Sequence, residues 1–327
     1  MRVCSVFAAM VLWLAAVVPA WAQFKEGGAE TGGEGPKLGK SQVSRWRVGV
    51  IVRASGGACR GMSGYMAVPT DWPEQEVSIA EEDVSPEARV HYETLPGSGV
   101  KIMVVKIANL PSGQEAKALV TFEVRRSEIL PPKDTDVYVI PDSKKLRREI
   151  SAYLGPSPLI ECRDAKIRGL AKEIGADKPK AWDRVEAIYD WVREHIKDKD
   201  QGGVPKGALA ALKDGNGDCE ARTSVFIAIC RAADIPARTV WVFGHVYPEF
   251  YLCDGKDEGH WFPCQSRGAR QFGGITELRA IFQKGDNVRP PRNAGKEHQR
   301  LLREAFTGAA LPNGGQPQVR FVREAAK

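Results

Sequence analysis

A cysteine stands where a glycine-rich turn gives way to a long apolar helix. Residues 213–217 contain two glycines, and Asp218 follows them as a good N-cap. Cys219 therefore falls in the first helical turn, where free backbone N–H groups and the positive end of the helix dipole favour a thiolate. The negative charge of Glu220, the next residue, disfavours the thiolate. The position predicts a nucleophile; an inert, buried thiol is the alternative, and it is the interpretation we give to Cys230 further along the helix.

The residues after this helix predict a pair of antiparallel strands. Residues 239–243 form a continuous apolar run, typical of a buried strand, and a glycine ends it. Residues 245–252 alternate, so His245, Tyr247 and Glu249 share a face. With a three-residue loop at 254–256, residue 245 pairs with residue 265, which places His245 and Gln265 on the same face.

Four motifs together resemble the transglutaminase-like superfamily. They are Gly-Asp-Cys at 217–219, Arg-Ala-Ala-Asp-Ile-Pro-Ala-Arg at 231–238, His-x-Tyr-x-Glu-Phe-Tyr at 245–251 and Trp-x-Pro-x-Gln at 261–265. The resemblance covers about residues 143–285. It implies that a cysteine attacks an amide carbonyl, that a histidine on a following strand is its base, and that an acid on the next strand orients the histidine. The matching catalytic residues are Cys219, His245 and Gln265.

Gln265 departs from the family, which usually has aspartate at this position. A side-chain amide oxygen can accept the Nδ1 proton of the histidine, so that Nε2 faces the sulfur, but it supplies no negative charge. Two functions remain open. The favoured one is a cysteine enzyme that cleaves or transfers acyl groups of peptide or protein amides through a thioester, with hydrolysis slightly preferred; the alternative is a weak or inactive binding or scaffold protein.

The N-terminus predicts export to the periplasm or outside the cell. Residues 1–22 contain an early arginine, an apolar run from Val3 to Val18 and an Ala-x-Ala sequence, which together indicate a signal peptide cleaved before Gln23. This segment is too short and wrongly flanked for a membrane span. Residues 23–42 are rich in glycine and predict a flexible linker.

The rest of the chain predicts an α+β protein. Short strands with regular turn signals between residues 43 and 140 indicate an antiparallel β-sandwich, and residues 143–290 would form the transglutaminase-like catalytic core of helices packed on an antiparallel sheet. We expect helices at 143–154, 164–175, 181–197, 207–213 and 275–283. Residues 291–327 are a C-terminal tail with a possible helix at 296–306 and a weak strand at 318–322.

Composition argues against several other classes of function. The 47 basic and 41 acidic residues are intermingled, which disfavours nucleic-acid binding. A zinc site of Cys253, His260 and Cys264 is one alternative, but no fourth ligand is obvious. A calcium loop starting at Asp214 lacks the required glycine. We therefore expect neither a metal nor a cofactor, and a peptide or protein as substrate; the oligomeric state stays open.

Overall fold

Alternating apolar residues along six strands build two packed antiparallel sheets from the first part of the chain. In the computed structural model, which describes residues 35–291, 295–309 and 314–326, their inward side chains form one buried core, with Val50, Val105 and Val120 fully inaccessible. The predicted signal peptide and residues 23–34 of the predicted linker lie outside the described residues. The strands are β1 (Lys37–Ser55), β2 (Cys59–Ala67), β3 (Gln75–Val84), β4 (Ala88–Thr94), β5 (Lys101–Leu110) and β6 (Glu115–Leu130).

The end of the chain returns to both of these sheets. β13 (Ala305–Thr307) pairs with β2, and β14 (Gln316–Ala326) pairs with β1 along eleven residue pairs. The sheet orders are β14-β1-β6-β3 and β13-β2-β5-β4. The predicted tail therefore supplies an edge strand to each sheet.

The middle of the chain forms helices packed on a third antiparallel sheet, as expected for a transglutaminase-like core. The last and most buried helix lies against the central strands of this sheet, whose order is β11-β10-β9-β12. β7 (Lys197–Asp198) and β8 (Asn216–Gly217) form a small parallel pair. The helices are α1 (Arg148–Ser151), α2 (Ala165–Glu173), α3 (Ala181–His195), α4 (Ala208–Asp214) and α5 (Cys219–Ala232); the sheet strands are β9 (Ala237–Val242), β10 (His245–Cys253), β11 (Gly259–Pro263) and β12 (Ile281–Lys284).

Two predicted helices are wrong. The segment 275–283 is extended, and its end forms β12, where the Gln75 side chain bonds both the N–H and the C=O of Ile281. The segment 296–306 is irregular and ends in β13. In both segments the available sheet edge outweighs a helical pattern of apolar residues, because tertiary pairing overrides local propensity.

Smaller differences concern element ends. The helix expected at 143–154 is reduced to α1 and a single 3₁₀ turn, Ala152–Leu154. Residues 37–42 belong to β1 and not to a linker. Strand β3 carries four acidic residues and six exposed positions, and it has no continuous apolar face that would predict a strand from the sequence. The β10–β11 hairpin pairs Cys253 with Gly259, so the loop has five residues and the register differs by two from the prediction.

A buried carboxylate ties α5 to the sheet. Asp286 is fully inaccessible and accepts two hydrogen bonds from Arg231 Nη2, at 2.8 and 2.9 Å. It also accepts from Ser157 Oγ at 2.6 Å and from the backbone N–H of Thr239 at 3.1 Å. Although burial opposes ionisation, the charge of Arg231 and these hydrogen bonds hold the pKa of Asp286 below its ordinary value.

A second buried network joins the two halves of the molecule. Lys284 Nζ lies 2.6 Å from a carboxylate oxygen of Glu74, which precedes β3, and 2.6 Å from one of Glu249 of β10. Arg126 of β6 donates to the Tyr247 hydroxyl of β10 at 3.0 Å. All five side chains are almost completely inaccessible. Strand β10 is therefore fixed to the sandwich by charged groups that water does not screen.

The Asp286→Ala variant should lose about 3–5 kcal/mol of unfolding free energy, because it leaves the buried Arg231 guanidinium without its counter-charge. Urea denaturation of the two proteins measures the difference. The matched control is Asp177→Ala, whose side chain is exposed beside Lys178, and it should change the unfolding free energy by less than about 0.5 kcal/mol. A loss below about 1 kcal/mol for Asp286→Ala would contradict this account of the network.

Candidate active site

The turn before α5 fixes the position of Cys219. Asp218 caps the helix, and its carboxylate accepts from the backbone N–H of Ala221 at 2.9 Å. A Cβ at Gly217 would lie 2.5 Å from the Ala221 side chain, so only glycine allows the turn to approach the helix this closely. Cys219 is the first helical residue and is half-buried, as the sequence predicts.

A residue of the C-terminal segment, Arg300, also holds the first turn of α5. Arg300 is buried, and its guanidinium donates to Ser224 Oγ at 2.6 Å and to the backbone oxygen of Glu220 at 3.1 Å. Its Nε lies 3.1 Å from the Glu220 carboxylate. Sequence reasoning missed this residue, because nothing in the surrounding residues indicates which helix they pack against. The ion pair offsets the negative charge next to the cysteine.

His245 and Gln265 lie in direct contact. The imidazole Nε2 and the Gln265 Oε1 are 2.7 Å apart, at the start of β10 and just after β11. The backbone carbonyl oxygen of Gln265 accepts hydrogen bonds from the Tyr189 hydroxyl at 2.9 Å and from Arg193 at 3.1 Å. The backbone N–H of Gln265 donates to the backbone oxygen of Gln271. The expectation that these two side chains share a face agrees with this hydrogen bond.

The ring nitrogen that faces Gln265 differs from the predicted one. Sequence analysis assigned Nδ1 to the glutamine, whereas the structure brings Nε2 to it. With the amide oxygen as acceptor, Nε2 carries the proton and Nδ1 is the free, basic nitrogen. The difference arises because the sequence gives the strand and the face, but not the rotation of the imidazole about its side-chain bonds.

Cys219 and His245 line one cavity of about 310 Å³. Burial raises the pKa of the Cys219 thiol, and a hydrogen bond with the backbone of Val246, the residue after the histidine, acts against this larger effect. The walls are mostly apolar and come from Trp241, Phe282 and Leu301, among others. The Trp241 indole N–H donates to Gly285 O at 3.0 Å, so it is not a free donor for an oxyanion.

Burial keeps the resting pair uncharged. Desolvation raises the pKa of Cys219, an effect that outweighs the Val246 hydrogen bond. Desolvation also lowers the pKa of His245, although the hydrogen bond to Gln265 acts in the opposite direction. Both shifts favour thiol and neutral imidazole over thiolate and imidazolium. The thiolate-stabilising position of Cys219 at the helix start is therefore offset by its half-buried surroundings.

The zinc alternative is not formed within the described residues. Cys264 is fully inaccessible, and no described group of possible metal ligands combines it with Cys253 and His260. Instead, His260 lies near the carboxylates of Asp254 and Glu258. Asp254 already accepts from the N–H groups of Lys256 and Glu258 at 2.8 and 3.0 Å, which explains its place in the hairpin turn. The six cysteines from Cys59 to Cys264 are free thiols.

Comparison with known proteins agrees with this geometry. Residues 168–266, which extend from α2 to just beyond Gln265, match the family model of the transglutaminase-like superfamily. The chain has a transglutaminase-like core. No curated protein matches the sequence. The match to this superfamily ends one residue after the predicted orienting residue, so it contains all three predicted catalytic positions.

One solved structure shares the fold of this chain over most of its length. A "putative cysteine protease" from Cytophaga hutchinsonii superposes with a TM-score of 0.56 at 15% identity, over 89% of this chain and 93% of that one. A second structure, a "putative protease" from Parabacteroides distasonis, has a TM-score of 0.28 at 14% identity, over 65% of this chain and 42% of that one. At this identity the first comparison shows a common fold that extends beyond the core into the sandwich.

Alkylation of Cys219 should be slow at neutral pH and should keep accelerating above pH 9, because burial raises the thiol pKa and only the thiolate reacts. Iodoacetamide labelling, followed by peptide mass spectrometry between pH 6 and about pH 10, measures the profile. The Cys219→Ala variant is the control for the five buried cysteines. A labelling midpoint well below pH 8 would show that the thiolate is already stabilised at rest.

Replacing Gln265 by Glu should raise the pKa of His245 by about one unit or more, because an isosteric carboxylate would then face Nε2 at hydrogen-bond distance. Titration of the His245 ring by NMR measures this pKa. Gln265→Met, which keeps the length but supplies no acceptor, should lower the pKa, because the wild-type hydrogen bond raises it. Equal pKa values in all three proteins would contradict the assigned contact.

Proposed function

We propose that the protein is an exported cysteine enzyme that attacks peptide or protein amides through a thioester on Cys219. The supporting observation is that His245, hydrogen-bonded to Gln265 through Nε2, lines the same cavity as a cysteine at a helix start. This is the arrangement that nucleophilic catalysis needs: a thiol, a base with one free nitrogen, and a group that orients the base.

In the first step, the Cys219 thiol gives its proton to Nδ1 of His245 as the sulfur adds to the amide carbon. The neutral starting pair makes this transfer part of the attack, because burial disfavours separated charges before substrate binds. The negative charge that develops on the carbonyl oxygen lies beside the first turn of α5, where backbone N–H groups such as that of Cys219 can donate to it.

In the second step, the amide C–N bond breaks, and the imidazolium returns its proton to the departing amine. The product is a thioester between Cys219 and the acyl group. A water molecule then gives a proton to His245 and adds to the thioester, releasing a carboxylic acid and restoring the thiol. An amine in place of water gives acyl transfer. We favour hydrolysis, because many bacterial members of this fold resemble peptidases.

The role of Gln265 in this reaction is to orient the imidazole and not to supply charge. Its backbone carbonyl accepts from Tyr189 of α3 and its backbone N–H donates to the oxygen of Gln271, so the residue is anchored through its backbone. The amide oxygen fixes Nε2 as the protonated nitrogen and leaves Nδ1 as the base. The same site in a binding or scaffold protein would have no need for a fixed tautomer.

His245→Ala should lower amide turnover by about 10²- to 10⁴-fold, whereas Cys219→Ala should abolish the thioester altogether. Rates with a peptide library and intact-mass detection of the acyl-enzyme after acid quench provide the two measurements. His91→Ala, which removes a partly exposed histidine of β4 that lines neither cavity, is the matched control and should retain the acyl-enzyme. If wild type forms no acyl-enzyme with any peptide, ester or amine donor, the scaffold alternative is favoured.

The acid limb of turnover should lie below the ordinary histidine pKa of about 6.5, because the reaction needs a neutral imidazole and burial lowers the pKa of His245. Activity is then retained as pH falls until the lowered pKa is reached, and it is lost below that value. A pH profile of kcat/KM checks this sign. A limb above pH 7 would indicate that His245 is not the base in the free enzyme.

Export remains a separate proposal, supported by the N-terminal residues alone. The positively charged start, the apolar run and the Ala-x-Ala sequence predict cleavage before Gln23. Among the described residues, no helix is both long and apolar enough to cross a bilayer. Terminal sequencing of the protein recovered from a Gram-negative periplasm should give Gln23 as the first residue. A retained Met1 in the cytoplasmic fraction would contradict export.

A further inference from the structure

The cavity that holds Cys219 and His245 adjoins a larger depression, with which it shares part of its wall. The first, which we call the proximal pocket, has a volume of about 310 Å³; the second, the distal trough, has about 840 Å³. Glu220, Trp241 and Leu301 line both of them. The two therefore form one cleft that begins at the predicted nucleophile, and the trough alone is as large as the sites that hold extended ligands.

The proximal pocket is built to take an apolar group. Its walls carry the side chains of Trp241, Phe243, Phe282 and Leu301. Phe243 is 41% exposed, and its ring packs at 4.8 Å against Trp46 of the sandwich. An exposed aromatic side chain held rigidly beside a thiol supplies apolar contact area without ordering on binding. A bulky aliphatic or aromatic side chain next to the attacked amide fits these walls.

The distal trough has a different chemistry. One side carries Pro158, Leu159 and Pro205, and the other is formed by residues 295–301 and Arg303. In the part of the chain that the structure describes, the side chains of Lys296 and Arg303 are exposed and form no ion pair or hydrogen bond. Arg300 does not add to this charge, because it is paired with Glu220.

The excess charge in the trough is positive. Glu297 is the one acidic side chain there without an ion pair among the described residues, against Lys296 and Arg303. His298 adds no fixed charge, and its Nδ1 is hydrogen-bonded to Asn287 Oδ1 at 2.8 Å. Two unpaired cations and one unpaired carboxylate favour an anionic side chain and disfavour a basic one.

We propose that the substrate is an extended polypeptide segment that places a bulky apolar residue in the proximal pocket and an acidic residue in the distal trough. This inference rests on the proposed amide chemistry at Cys219. It adds that small amides are poor substrates, because they leave the trough empty and lose its contacts. Arg303 then determines the preference for an acidic residue in the distal trough.

Four peptides of equal length test the proposal: leucine with aspartate at the trough position, leucine with asparagine, leucine with lysine, and alanine with aspartate. Affinity is measured by fluorescence anisotropy on Cys219→Ala, and kcat/KM on wild type. The aspartate peptide should exceed the asparagine peptide by about two- to fivefold. Replacing leucine by alanine should cost about tenfold or more.

Charge reversal in Arg303→Glu should invert the order, so that the lysine peptide binds more tightly than the aspartate peptide. Arg53→Glu, a reversal at an exposed cation of β1 outside the cleft, should leave the order unchanged. Equal affinity of aspartate and lysine peptides in wild type, or an unchanged order in Arg303→Glu, overturns the proposal.

The two measurements separate this inference from the proposed function. Selective binding without turnover or acyl-enzyme would overturn the amide chemistry while supporting the cleft specificity. Turnover of all four peptides at equal kcat/KM would support the chemistry and overturn the specificity. Turnover of a simple primary amide as fast as of the leucine–aspartate peptide would also overturn it, because the trough would then contribute nothing.

Discussion

The complete burial of α5 is the constraint on which the candidate site depends. Every residue from Ala221 to Arg231 is inaccessible, so the helix cannot shift without opening the core. The first turn of α5 reaches a cavity, and Cys219 occupies this turn. Asp218 above and Arg300 below hold that turn. A core packed in this way converts an ordinary helix N-terminus into a fixed position for a sulfur atom.

The sandwich has a part in the same geometry. Strand β10 carries His245 at its start. Tyr247 and Glu249, which follow on the same face of the strand, are members of the buried polar network. Removing one member would leave uncompensated charges in a region without water. The network thus fixes the position of β10 relative to β6 and β12. The sandwich and its C-terminal strands are consequently part of the support of the site, and Arg323 of β14 reaches its cavity directly.

Local rules predict the parts of the site that depend on one element. The N-cap and the helix start at Cys219 follow from residue types, and the shared face of His245 and Gln265 follows from strand alternation. The actual register differs by two, and an even shift keeps every side chain on its predicted face. What the sequence does not contain is the result of packing between distant segments. Arg300 under α5, the strand at 281–284 and the raised thiol pKa all depend on groups far apart in the chain.

A glutamine at position 265 is consistent with the observed pairing register of β10 and β11. Because the Cys264 N–H donates to Pro248 O, Gln265 lies opposite Tyr247 and diagonal to His245. Diagonal neighbours are farther apart than directly opposed ones, and glutamine extends one methylene beyond aspartate, so the longer amide can reach Nε2 at 2.7 Å. An aspartate at residue 265 would need the strands to move together. Glutamine, unlike aspartate, carries no negative charge. Its presence agrees with a thiol and an imidazole that stay neutral until substrate binds.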